Sequence, residues 1–229
     1  MFKRQSTAIL LFTNTISREV ETKTFCHKRK FNIKIAASLI RHSITIAKKS
    51  GLDYFIIDSD HQVGSTFGER YSHAFQQVFN KGYDKVISIG NDCPSLTINL
   101  IINAADKLSF NDLVIGPAKD GGAYLIGLTR SSFDQEKFSN LKWKSAQVFS
   151  NLQDYTNEFD GQISCLLPLA DVDTAADLLR IVYQRTNQSF LYQLKQLLQL
   201  IRRIFIDLIP AIQSADSRFT IGLRAPPAL

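Results

Sequence analysis

The sequence predicts an α/β domain: a mostly parallel central sheet with helices on both faces, followed by a C-terminal amphipathic helix. Three observations predict it. Short apolar runs alternate with segments of helical periodicity, the pattern of a sheet buried on both sides. Hydrophobic residues make up 45% of 229, enough for a sizeable core. Beyond residue 185 the alternation gives way to one long leucine-rich stripe, so residues 1–185 read as the domain and 186–229 as an appended helix and tail.

The elements follow in order. Ala8–Phe12 reads as the first strand, and Thr13 to Thr24 as a polar loop. Ile35, Leu39, Ile40, Ile44 and Ala47 recur at helical spacing and predict a helix from about Asn32 to Ser50, closed by Gly51. Tyr54–Ile57 is expected as a second buried strand. Thr66–Asn80 is a helix with Tyr71, Ala74, Phe75, Val78 and Phe79 inward, and with Thr66 and Glu69 spaced as a capping box. Val86–Ile89 is the third strand and Ser95–Lys107 a helix. Leu113–Ile115 and Tyr124–Leu128 are the fourth and fifth strands. Phe133–Leu141 and Ala146–Tyr155 read as helices, Ile163–Leu167 as a strand, and Thr174–Gln184 as a helix.

Composition narrows the function. No run of roughly 18 apolar residues is present, so no membrane span is expected. The first residues lack the apolar stretch and small-residue site of a secretory signal. Cys26, Cys93 and Cys165 are few, odd in number and widely spaced, which fits reduced thiols in the cytoplasm and matches no zinc spacing. The net charge of +6 divides into +9 over residues 1–50, −7 over 51–180 and +4 over 181–229. Basic ends around an acidic middle suit cations meeting phosphates beside carboxylates, or simply a solvated basic face. No nucleic-acid-binding signature accompanies the charge, so nucleic acid is not an expected partner.

Three segments carry candidate chemistry. The run Val86–Ile89 ends on Gly90-Asn91-Asp92-Cys93-Pro94, which puts Asp92 at the C-terminal tip of a strand, where α/β sheets bind ligands. A carboxylate there can hold Mg²⁺ or Mn²⁺ beside phosphate oxygens; its structural alternative is a cap on the next helix. After the second strand comes Gln62-Val63-Gly64-Ser65-Thr66-Phe67-Gly68-Glu69-Arg70. Gln62 can both donate to and accept from a base edge, Gly64 allows close approach of the backbone, and Arg70 can clamp a phosphate. The alternative is an ordinary capped loop. Asp120-Gly121-Gly122 reads either as a hairpin turn or as a loop around an acceptor, with Asp120 as base or hydroxyl ligand. In Asp171-Val172-Asp173-Thr174, alternation points one carboxylate into the crevice and leaves the other to cap the following helix.

These motifs, with Trp143, resemble the GT-A-like nucleotide-diphospho-sugar transferase superfamily, and within it a bacterial branch of glycosyltransferase A and radical-SAM/selenodomain-associated transferases. The resemblance runs from about Ala8 to Leu179. It implies a Rossmann-related, metal-dependent transferase with a nucleotide over its N-terminal half. Asp92 and Asp173 would hold Mg²⁺ or Mn²⁺, and the acceptor loop would be Asp120, Gly121 and Gly122. The partners implied are a nucleotide sugar or a nucleoside triphosphate, and an acceptor the sequence does not name. Sugar-nucleotide pyrophosphorylases look similar at the Gln62 and Asp92 segments, so glycosyl and nucleotidyl transfer both remain open. Where the family has a Lys-Thr-Arg-like phosphate grip, this chain has Glu21-Thr22-Lys23. Lys23 keeps the basic character, Arg18 stands at the family's glycine, and Glu21 replaces its lysine. A non-catalytic nucleotide-binding or scaffold protein is the third reading. Ala123 stands where an aromatic is common.

Leu191, Leu194, Leu198, Ile201, Phe205 and Leu208 form a heptad-like seam that Pro210 is expected to stop. The seam can dock on its own domain, pair two copies through residues 190–209, or lie in a membrane surface. Residues 215–229 are expected to fold back and lend Arg218 or Arg224 to phosphate binding.

Overall fold

The six-stranded sheet has the order β2-β1-β3-β5-β4-β6, with β1 Thr7–Phe12, β2 Asp53–Ile57, β3 Lys85–Ile89, β4 Leu113–Pro117, β5 Ala123–Thr129 and β6 Ile163–Cys165. The structure is a computed structural model that describes residues 6–26, 28–183 and 188–216, with side chains in the last stretch as far as 203. Pairs β1–β2, β1–β3 and β4–β6 are parallel. Strand β5 runs antiparallel between β3 and β4. The reason is local: the turn through Ala118–Gly122 is too short for a crossover and can only reverse the chain. The sheet is thus mixed but mostly parallel, as expected.

Alternation along the strands sends side chains to two layers. Leu10, Val86, Ile115 and Ile126 face one core with α3 Phe67–Asn80, α5 Gln135–Ser139 and α6 Val148–Asn157. Ile9, Leu11, Ile87 and Val114 face the other with α2 Arg29–Lys49 and α4 Ile98–Lys107. Thr66 and Glu69 form the expected capping box of α3.

Several expectations need correction. Strand β2 is a sheet edge, not a buried strand: Tyr54 and Ile56 are 36% and 42% exposed. Strand β6 stops at Cys165, and Leu167 is exposed. The loop from Thr13 to Thr24 contains a helix, α1 Ile16–Thr22, capped by Thr15. Its one buried residue is Glu19, so there was no apolar period to read. Helix α4 is capped by Thr97, not by Asp92. Thr174 with Asp177 caps α7 Ala175–Val182, which leaves both Asp171 and Asp173 free of capping duty.

The C-terminal helix α8 spans Ser189–Asp216 and continues past Pro210. Proline removes one ladder hydrogen bond but does not end the element here. Leu191, Leu194 and Ile201 are buried with Ile35, Ala36 and Leu39 of α2 and Leu178, Ile181 and Val182 of α7, so the described part of the seam is covered by its own chain. Phe190 stacks on His42 of α2 with ring centroids 3.7 Å apart. Phe205, Leu208, Arg218 and Arg224 lie outside the described side chains. No helix among the described residues is long and apolar enough to cross a membrane.

Candidate functional site at the carboxyl ends of β1 and β3

The site is built on Asp92, three residues beyond the end of β3. Cys93 and Leu96 are buried in the core behind it and hold its loop against the sheet. The segment after β6 is clasped onto the same loop, where the Val172 amide donates to the Asp92 carbonyl at 2.8 Å. A bridge between Thr24 and Thr174 brings the end of α1 alongside. Three segments distant in sequence therefore meet, and they carry Lys23, Asp92 and Asp171–Asp173.

Lys23 is the centre of the cluster. Its Nζ lies 2.8 Å from Asp173 Oδ1, 3.1 Å from Asp92 Oδ2 and 3.6 Å from Glu19 Oε1. It also donates to the Val172 carbonyl at 3.4 Å. Burial works against its charge, but Asp92, Glu19 and Asp173 outweigh that effect and raise its pKa. Glu19, 1% exposed, accepts from Asn91 Nδ2 at 2.9 Å and Asn14 Nδ2 at 2.8 Å. Asn91 Oδ1 in turn accepts from Thr13 Oγ1 at 2.9 Å.

Asp171 is the unusual member. Its Oδ1 is buried with no hydrogen-bond partner among the described residues. Desolvation, then the charges of Asp92, Asp120 and Asp173, push its pKa up to about 8, with Lys23 opposing. The alternation expected of residues 171–173 fails because they form no regular strand. Both carboxyls belong to the cluster, and Asp173 is the more exposed. Cys93 beside them is buried, which keeps its thiol protonated rather than reactive.

The other expected residues are placed differently. Gln62 donates from Nε2 to the Thr13 carbonyl at 2.8 Å, which ties its amide nitrogen to the end of β1. Gly64 has φ +134, and a Cβ there would sit 2.7 Å from Glu69 Cβ, so its close approach is to the start of α3. Arg70 Nη1 donates to the Ser65 carbonyl at 3.0 Å and forms no ion pair among the described residues. Gly121 has φ +94 and its α-carbon faces the Ala146 carbonyl, while Asp120 Oδ1 accepts from Gly122 N at 3.0 Å. Asp120 is exposed at the rim. Glu21 points outward and pairs with Arg18 at 3.0 Å, so it puts no extra charge into the cluster. Sequence reasoning missed Glu19 and Asn91 and left Asp171 unassigned. The signal for Glu19 was a cap at Thr15 followed by an acidic first turn.

Asp92 and Asp173 do converge on one point, and the Lys23 ammonium occupies it. As they stand, these residues do not fit a divalent ion at that point. Among the described residues, no group of three or more His, Cys, Asp or Glu side chains is arranged to hold a metal.

Comparison with known proteins agrees with this architecture. A family model described as "uncharacterized protein conserved in bacteria (DUF2064)" matches residues 54–145. A provisionally assigned nucleotide-diphospho-sugar transferase from Desulfovibrio desulfuricans G20 is similar at 26% identity and TM-score 0.73, covering 86% of this chain and 97% of that one. Rv0371c from Mycobacterium tuberculosis H37Rv shares the fold at 13% identity and TM-score 0.53, covering 78% of this chain and 98% of that one. No curated protein matches the chain. The fold is that of the GT-A-like nucleotide-diphospho-sugar transferases.

Proposed function

We propose that this chain is a transferase acting on a nucleotide-activated donor, with glycosyl transfer from a nucleotide sugar as its reaction. The observation that carries the reading is the polar cluster of Lys23, Asp92, Asp171 and Asp173 at the carboxyl ends of β1 and β3. It lies on a fold shared along nearly its whole length with the Desulfovibrio protein, and in such sheets that edge is the ligand crevice. Gln62 presents its remaining amide oxygen to the base, and Arg70 steadies a phosphate. Asp120, exposed on the turn before β5, orients the acceptor hydroxyl and takes its proton as the acceptor oxygen bonds to the sugar's anomeric carbon. The bond from that carbon to the diphosphate breaks, and the nucleoside diphosphate leaves. The Mg²⁺ or Mn²⁺ that the resemblance implies on Asp92 and Asp173 has no step in this scheme. Nucleotidyl transfer from a nucleoside triphosphate is the second reading, since the Gln62 and Asp92 segments suit it equally.

The test is a thermal-shift panel of nucleoside diphosphates, triphosphates and nucleotide sugars, followed by product analysis. Stabilisation by a nucleotide sugar and release of a nucleoside diphosphate is expected, with Asp92→Asn inactive but folded. Pyrophosphate release from a triphosphate would move the assignment to nucleotidyl transfer. No response to any nucleotide would leave a scaffold protein.

A further inference from the structure

We infer that Lys23 is a tethered cation: its ammonium permanently fills the position between Asp92 and Asp173 that a divalent metal would take, and the chain binds no divalent ion there. Three observations carry this. The first is distance. Oxygens at 2.8 Å and 3.1 Å from Nζ are spaced for N⁺–H···O⁻ hydrogen bonds. Mg²⁺ requires oxygens at about 2.0–2.1 Å, so an ion placed at Nζ would reach neither carboxylate.

The second is anchorage. Lys23 is pinned on both sides of its α-carbon. Its amide donates to the Glu19 carbonyl at 2.8 Å, and its carbonyl accepts from Asn32 Nδ2 at 2.9 Å. The neighbouring Thr24 is bridged to Thr174 on the segment that carries Asp173. The side chain itself is 16% exposed.

The third is what displacement would leave behind. Glu19 is 1% exposed, and its nearest cation is Lys23. A metal that drove Lys23 out of the cluster would strand a buried carboxylate on two neutral amides, which is strongly unfavourable. Lys23 therefore neutralises the buried Glu19 and bridges Asp92 and Asp173 at once. The geometry stands whatever reaction the site performs. Only the corollary, that the nucleotide donor binds equally well with and without a chelator, rests on the transferase reading.

The test is a Mn²⁺ titration of the full-length chain, following the free-ion signal by electron paramagnetic resonance. Wild type is expected to bind no stoichiometric Mn²⁺, and Asp92→Asn should change nothing. Lys23→Ala should gain one Mn²⁺ per chain, at least tenfold tighter than wild type, through Asp92 and Asp173. Adding Asp92→Asn to that variant should abolish the gain. Lys23→Met keeps the aliphatic stem and serves if the alanine variant does not fold. One Mn²⁺ bound by wild type and lost in Asp92→Asn would overturn the inference, as would a folded Lys23 variant with no gain. If neither variant folds, the wild-type titration decides alone. None of these readings uses activity, so the inference can fail while the transferase assignment survives, and the reverse.

Discussion

Replacing Asp171 by asparagine should stabilise the folded chain at neutral and alkaline pH and leave it unchanged well below pH 4. The folded carboxyl has its pKa pushed up to about 8 from the ordinary 3.8, first by desolvation and then by Asp92, Asp120 and Asp173. Over that window the folded state holds a proton the unfolded chain has lost, so stability falls as pH rises and the full penalty is present above about pH 8. The gap multiplied by about 1.4 kcal/mol per pH unit caps the penalty at about 6 kcal/mol. Asp171 is only partly buried as a residue, and local relaxation lowers the figure, so about 2–3 kcal/mol is expected. Asparagine keeps the shape and cannot ionise. Urea unfolding of wild type and Asp171→Asn between pH 3 and 9 measures the difference. The two should coincide near the acid end and diverge with pH. Parallel curves, or a wild type that gains on the variant as pH rises, would refute the charge arrangement described for this cluster.

Other outcomes follow from the same structure. His42 is stacked on Phe190, its Nε2 is buried without a hydrogen-bond partner among the described residues, and burial lowers its pKa from 6.5 to about 4 despite the backbone of Leu96 and Pro94. The unfolded chain takes up that proton first, so acidification through pH 6.5 to 4 should remove about 1–2 kcal/mol. His42→Phe should abolish that slope in urea midpoints compared at neutral and acid pH. Leu194→Ala empties a site that is 1% exposed between α8, α2 and α7, and should cost about 2–5 kcal/mol in chemical unfolding. Gly121→Ala combines a left-handed backbone with no room beside the Ala146 carbonyl, so a loss of about 1–3 kcal/mol in thermal melts is expected. A neutral result would show that the turn before β5 is not packed as described.

The layered α/β fold is legible in the amino-acid pattern alone. Strands such as Val86–Ile89 and helices such as Phe67–Asn80 bury local apolar patterns, and a pattern of period 2 or 3.6 is legible without knowing its partner. The sequence also marked Asp92, because a lone carboxylate ending an apolar run is a local signal. It could not show that β2 would be an edge, since edge position depends on which strands pair. Helix α1 has no apolar period to read because the one residue it buries is charged, and its stability comes from Thr15, Asn14, Asn91 and Lys23. The centre of the site was decided only by tertiary structure. Lys23 and Asp92 are 69 positions apart, and Lys23 and Val172 are 149 apart. Pairing of Thr24 with Thr174, and of Val172 with Asp92, sets one ammonium between two carboxylates. Coulomb interaction depends on distance in space, and no spacing along the chain records it.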